Sequence, residues 1–214
     1  MRTKRNRVLL WAFFLTVFAL SGQTPEEPRR DALKLYNAGR FGEAIEVCEK
    51  ELWADPNNRD SYVVLCWSLV SNRQYAEAEL RASHAWNLNR YDQRIIEILA
   101  EAKYFLGKNA EALALFEEYI TLVPVTTGAR INAAYYYMGE IYIRMERFQH
   151  AEIAMTTAVR FEPNRDDWWM RLGYAREMAG NHSEAVSAYD QALRLNPAST
   201  DAQRGRLRAM SNIR

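Results

Sequence analysis

The sequence predicts an all-α solenoid: about five stacked helix hairpins closed by a further helix. Three observations predict it. Small residues recur at a fixed interval of 34 positions, aromatic and aliphatic residues stand at helical spacing around them, and prolines close several of the units. The clearest unit runs from Trp169 to Pro197 and carries Leu172, Gly173, Gly180, Ala185, Tyr189, Ala192, Leu193 and Leu195. Gly173 and Ala185 are small where two antiparallel helices must approach closely. Trp169, Leu172 and Tyr189 fill the layer around that contact. Gly180 supplies a left-handed residue that ends the first helix, and Pro197 cannot continue the second.

One hairpin cannot bury its apolar face alone, so the motif requires neighbours. Stepping back gives Tyr135, Met138, Gly139, Tyr142, Phe148, Ala151, Ala158 and Pro163, then Ile96, Leu99, Ala100, Gly107, Ala112, Phe116 and Pro124. The second step needs about five extra residues around positions 125–131. Two more steps give Tyr62, Leu65, Cys66, Tyr75, Ala78, Ala82 and Ala85, and Ala32, Leu35, Gly39, Phe41, Ala44, Leu52 and Pro56. The units fall at about 25–58, 59–92, 93–126, 132–165 and 166–199, within a repeat domain at 31–214. Residues 200–212, rich in Arg and Ala with Leu207 and Met210 at helical spacing, read as a capping helix that covers the last unit's apolar face. The stretch 125–131 breaks the period, and Thr127 can cap a helix that starts a turn early, through Ala129 and Ile131. It serves either to change the angle between units or as a tolerated loop.

The first residues differ in kind. Arg2, Lys4, Arg5 and Arg7 precede an apolar run from Val8 to Leu20, which is the order of a signal peptide and shorter than the roughly 20 residues of a membrane span. Ala19 and Ser21 place a cleavage site before Gly22, so 1–21 reads as a signal peptide or as an uncleaved anchor holding the repeats outside the inner membrane. Cleavage takes the formal charge from +1 to 1 − 4 = −3. That mild acidity argues against nucleic acid as a partner. The lipoprotein route is closed, since no Cys follows the run. Residues 22–30 read as a linker and the start of the first helix, with Pro28 in its first turn behind Glu26 and Glu27. In an exported chain Cys48 and Cys66, on helices that touch, are either bridged or two small buried thiols.

No nucleophile stands with a base, no glycine-rich phosphate loop follows a strand, and no paired-cysteine or His-Glu-x-x-His pattern occurs. His84, His150 and His182 fall in three different units as surface residues. Enzyme activity, a cofactor and a metal site are not expected. The surface that carries information is the side lined by the first helices: Leu33, Tyr36 and Asn37; Val63, Trp67 and Val70; Arg94, Glu97, Glu101, Tyr104 and Phe105. Tyr136, Glu140, Ile143 and Arg144 follow, then Met170, Tyr174, Glu177 and Met178. An exposed aromatic stripe marks a docking place. The competing reading packs Val63, Val70 and Tyr104 against the next unit.

These spacings resemble the tetratricopeptide (TPR) family. The resemblance implies a right-handed superhelix and a binding module that lays an extended peptide or partner helix in its groove. Members that hold the acidic C-terminus of heat-shock chaperones share a Lys and Asn clamp; here those positions are Arg29 and Leu33, so that clamp is absent. With the leader, the sequence resembles exported bacterial members that act as adaptors in envelope assembly, secretion or transporter complexes. Two functions stay open: a periplasmic protein–protein scaffold, and a carrier of a small apolar ligand or lipid. Self-association through the groove or an end is compatible with both.

Overall fold

The computed structural model describes residues 31–123 and 130–213. The leader at 1–21, the linker at 22–30, Pro28, Thr127 and the inserted loop lie outside the described residues. Within them are eleven helices: α1 Ala32–Asn37, α2 Phe41–Ala54, α3 Arg59–Ser71, α4 Tyr75–Leu88, α5 Gln93–Phe105 and α6 Asn109–Leu122. The second half holds α7 Ile131–Arg144, α8 Phe148–Phe161, α9 Asp166–Met178, α10 His182–Leu195 and α11 Thr200–Ser211. They pair as five antiparallel hairpins and a final single helix, an all-α solenoid. The second helices start at Phe41, Tyr75, Asn109, Phe148 and His182, so the interval is 34 residues except for 39 between Asn109 and Phe148.

Local chemistry sets the ends. Side chains of Asp31, Asn58, Asp92 and Ser199 accept backbone N–H groups at the starts of α1, α3, α5 and α11, meeting donors that have no intrahelical acceptor. The described part of the first unit therefore opens with a helix beginning at Ala32, with Asp31 as its extended cap. Likewise α7 begins at Ile131, with Arg130 as its cap residue. Each hairpin turn is closed by a backbone bond spanning five residues, as from Asn181 N to Arg176 O at 2.9 Å, with a left-handed residue inside it. Gly39, Gly107 and Gly180 take that conformation freely, but Arg73 (φ 60°) and Glu146 (φ 57°) hold it at a steric penalty.

Packing confirms why the small residues recur. A Cβ on Gly139 would lie 2.7 Å from Met155 Cγ, and one on Gly173 would lie 2.7 Å from Tyr189 Cδ1. Tyr189 is in fact held between two glycines, since a Cβ on Gly205 would meet its Cζ at 2.3 Å. The capping helix therefore reaches the last unit through Ala202, Gly205 and Ala209, while Leu207 and Met210 face solvent. Only a helix face without bulky side chains fits over the Tyr189 ring. The large buried indole of the fifth unit is Trp168, 4% exposed, whereas Trp169 is half-buried and donates Nε1–H to Pro163 O at 2.8 Å. The centre of the stack is α5, whose residues from Ile95 to Ala102 are all buried.

Candidate functional site

First helices of successive units face a common cavity of about 490 Å³, walled by Leu33, Tyr36 and Asn37 from α1 and Trp67, Val70 and Ser71 from α3. Glu101 from α5 and Arg130 complete it. The spacing of the repeat puts Tyr36 and Trp67 side by side, and their rings stack at 5.7 Å with 28° between planes. A second hollow of about 220 Å³ lies beside the cap and is lined by Met170, Arg171, Tyr174, Tyr189, Asp201, Arg204 and Arg208.

The structure thus gathers Tyr36, Trp67 and Glu101 at one place and Met170 and Tyr174 at another. The rest of the aromatic stripe is used elsewhere. Tyr104 is 7% exposed and Val63 1%, because both pack against neighbouring units; burial also pushes the Tyr104 hydroxyl's pKa up. Tyr136 stacks on the Trp168 ring at 4.8 Å and lines neither hollow, and Phe105 stacks on Tyr75 at 4.4 Å. Met178 stays exposed, away from both cavities.

The charged residues of the groove are bound within the fold. Arg94 donates to Asp60 Oδ1 at 2.9 Å and to both oxygens of Asp92. Arg144 donates to the Tyr104 carbonyl at 3.0 Å and lies 3.9 Å over the Tyr104 ring. Glu140, 8% exposed, is held at both oxygens by Arg171, at 2.5 and 2.8 Å. Glu177 is held by Arg208 and accepts from the Tyr189 hydroxyl at 2.7 Å. A regular ladder emerges: Asp60 to Arg94, Glu101 to Arg130, Glu140 to Arg171 and Glu177 to Arg208, each acid reaching a guanidinium 29 to 34 residues later. Arg94, Glu140 and Arg144 are therefore stitches between units rather than open docking groups.

Ser71 and Arg130 are the lining residues of this cavity that the pattern missed; Arg130 escaped it because it sits before α7 and outside the repeat register. Its Nη1 stands 3.2 Å from Glu97 Oε1 and 3.3 Å from Glu101 Oε2. Tyr137 donates its hydroxyl to Glu101 Oε1 at 2.7 Å. Glu97, expected in the groove, is instead 3% exposed behind Arg130. Burial pushes its carboxyl up to about 8, against the pull of Arg130 and with a smaller push from Glu101.

The sulfur and imidazole groups do not converge on a site. Cys48 and Cys66 are free thiols, both fully buried, and burial pushes Cys48 up to about 12 and Cys66 further still. His84 and His150 are exposed, while His182 is half-buried at the start of α10. Among the described residues no three His, Cys, Asp or Glu side chains are grouped to hold a metal, and no helix is long and apolar enough to cross a membrane.

Residues 137–200 match the tetratricopeptide repeat family model. Among curated proteins, the chain is 23% identical over 164 residues to the human protein O-mannosyl-transferase TMTC1, covering 77% of this chain and 18% of that protein. It is 26% identical over 161 residues to the peroxisomal targeting signal receptor of Candida albicans, covering 72% of this chain and 26% of the receptor. The chain spans about a fifth to a quarter of the length of these relatives. Among solved structures, YrrB, described as a TPR protein with an unusual peptide-binding site, aligns with a TM-score of 0.67 at 16% identity, over 82% of this chain and 88% of YrrB. That likeness is one of fold alone. The tetratricopeptide repeat match thus falls on the fourth and fifth hairpins, and the units before them repeat the same hairpin geometry.

Proposed function

We propose that this chain is a non-enzymatic interaction scaffold or adaptor of the cell envelope, holding a peptide or partner helix against its first helices. The observation that carries the reading is the cavity of about 490 Å³ with the stacked Tyr36 and Trp67 rings in its wall. Rigid amphipathic rings anchor partners with little loss of side-chain entropy. YrrB is described as having a peptide-binding site, and the Candida albicans relative is a targeting-signal receptor; both support a peptide as the occupant. The basic and then apolar order of residues 1–20 supports export, most simply to a bacterial periplasm, or anchorage there if the segment is kept.

The test is photo-cross-linking in intact cells from a probe placed at position 67, compared with one at Ile153, an exposed site on a second helix. A discrete cross-linked protein from position 67 alone is expected. Cross-links from Ile153 alone would move the docking face to the other side. A reporter enzyme fused to residues 1–30 reads export, and cytoplasmic activity would overturn the envelope assignment.

A further inference from the structure

The charges in the wall of the larger cavity are already spent. Glu101 accepts from Tyr137 Oη–H at 2.7 Å and from Arg130 Nη1–H at 3.3 Å, while Glu97 lies behind Arg130 and is no part of the lining. Burial pushes the Glu97 carboxyl up to about 8, so near neutral pH it is mostly protonated, and Glu101 and Arg130 cancel. A charged side chain entering here would leave water and meet no uncompensated opposite charge, which is costly. The rest of the lining is uncharged and of two kinds. Leu33, Tyr36, Trp67 and Val70 are aliphatic or aromatic, with the two rings stacked at 5.7 Å. Beside them Asn37 and Ser71 are exposed, and neither side chain, nor the Tyr36 hydroxyl, makes a hydrogen bond among the described residues.

We infer that this cavity takes one bulky uncharged side chain of an extended peptide, aromatic or branched aliphatic, packed on the Tyr36 and Trp67 rings, with the adjoining peptide group bonded to Asn37 and Ser71. The assignment rests on the peptide-docking reading of the same cavity and goes further by naming the charge and bulk of the anchor. The size agrees. At about 490 Å³ the hollow falls within the roughly 300–1,000 Å³ typical of ligand pockets, which leaves room for a ring and the main chain that bears it. An aromatic guest gains a ring contact beyond the area it buries.

The polar part of the wall selects among uncharged occupants. A peptide group carries one N–H and one C=O, and an amide side chain beside a hydroxyl answers both. A hydrocarbon chain satisfies the rings but strips water from Asn37 and Ser71 and returns no hydrogen bond. Lys, Arg, Asp and Glu bring a charge that the closed Glu101 and Arg130 pair does not meet. Since no net charge is neutralised on binding, affinity is insensitive to salt.

The experiment selects binders from a displayed random-heptapeptide library on the immobilised full chain, then measures the selected peptides by calorimetry at about 0.05 M and about 0.5 M NaCl. Phe, Tyr, Trp, Leu or Ile recurring at one position is expected, with affinities equal within about twofold at the two salt concentrations. Trp67→Ala, checked for native helicity, should weaken the selected peptides about tenfold or more, and so should methylating the main-chain nitrogen next to the anchor. The library and the salt series use the wild-type chain and stand even if that variant does not fold. Enrichment of Lys, Arg, Asp or Glu in binders that still need Trp67, or affinity that falls further with salt, overturns the uncharged anchor and leaves the docking reading intact. Dodecanol competing as well as the selected peptides, with methylation tolerated at every main-chain nitrogen, overturns the peptide-group contact and makes the cavity a site for small apolar molecules. Peptides that bind Trp67→Ala as well as wild type, or a library that yields no binders, overturn both.

Discussion

The two ends of the first-helix face follow opposite policies towards charge. Around Tyr36 and Trp67 the wall is mostly aromatic and aliphatic, with one ion pair, Glu101 and Arg130, and the hollow is about 490 Å³; beside the cap it is about 220 Å³, and Arg171, Arg204, Arg208 and Asp201 crowd it. The C-terminal units pair Glu140 and Glu177 each with a guanidinium one unit on, so these charges hold units together. The N-terminal stretch carries the Asp60 to Arg94 stitch at the exposed edge and the Glu101 to Arg130 pair in the cavity wall, and leaves rings uncovered between them. A solenoid unit contacts only its neighbours, so each stretch of the face can serve either cohesion or docking.

The contrast can be broken or sharpened by experiment. The largest effect should come from Gly173→Leu, which drives a side chain into the Tyr189 ring; a loss of roughly 3 kcal/mol by urea denaturation is expected, and unchanged stability would refute the close approach. Arg171→Ala should cost about 2 kcal/mol, less than a fully buried pair because Arg171 is a quarter exposed, by uncovering the Glu140 carboxylate. Tyr36→Ala with Trp67→Ala should cost about 2 kcal/mol, since both side chains are only partly buried, and leave the helices folded, yet abolish partner capture in the groove. If that pair unfolds the domain and Arg171→Ala does not, the two ends have been assigned the wrong way round.

Smaller effects test the details. Arg73→Gly and Glu146→Gly relieve left-handed backbone and should each raise stability by about 1 kcal/mol, read as a higher urea midpoint. The pH response has a definite sign. Glu97 titrates higher in the folded chain than its ordinary 4.5, so its contribution is full below that value and is lost as pH rises through about 8. The urea midpoint should fall between pH 6 and 8.5, and Glu97→Gln should flatten that slope.

Much of the site was written in the spacing. Leu33, Tyr36, Asn37, Trp67 and Val70 share one cavity because a 34-residue period returns the same helix face to the same side. What spacing could not supply was depth. Tyr104 and Tyr174 sit on comparable faces, yet Tyr104 lies under the Arg144 guanidinium and is buried, while Tyr174 borders the second hollow. An acid followed by an arginine about one period later, as in Glu140 and Arg171 or Glu177 and Arg208, was a readable sign that those charges were spoken for.

By itself the sequence determined the hairpins, their number and their interval, because glycine and alanine at the helix contacts and left-handed residues at the turns are local requirements met by local residues. Tertiary structure alone decided that Trp168 rather than Trp169 is buried, that α11 presents its small side to Tyr189, and that Arg130 stands across Glu97 and Glu101. Those outcomes depend on how far one unit rotates against the next, and a side chain's burial and charge partners are set by atoms tens of residues away along the chain.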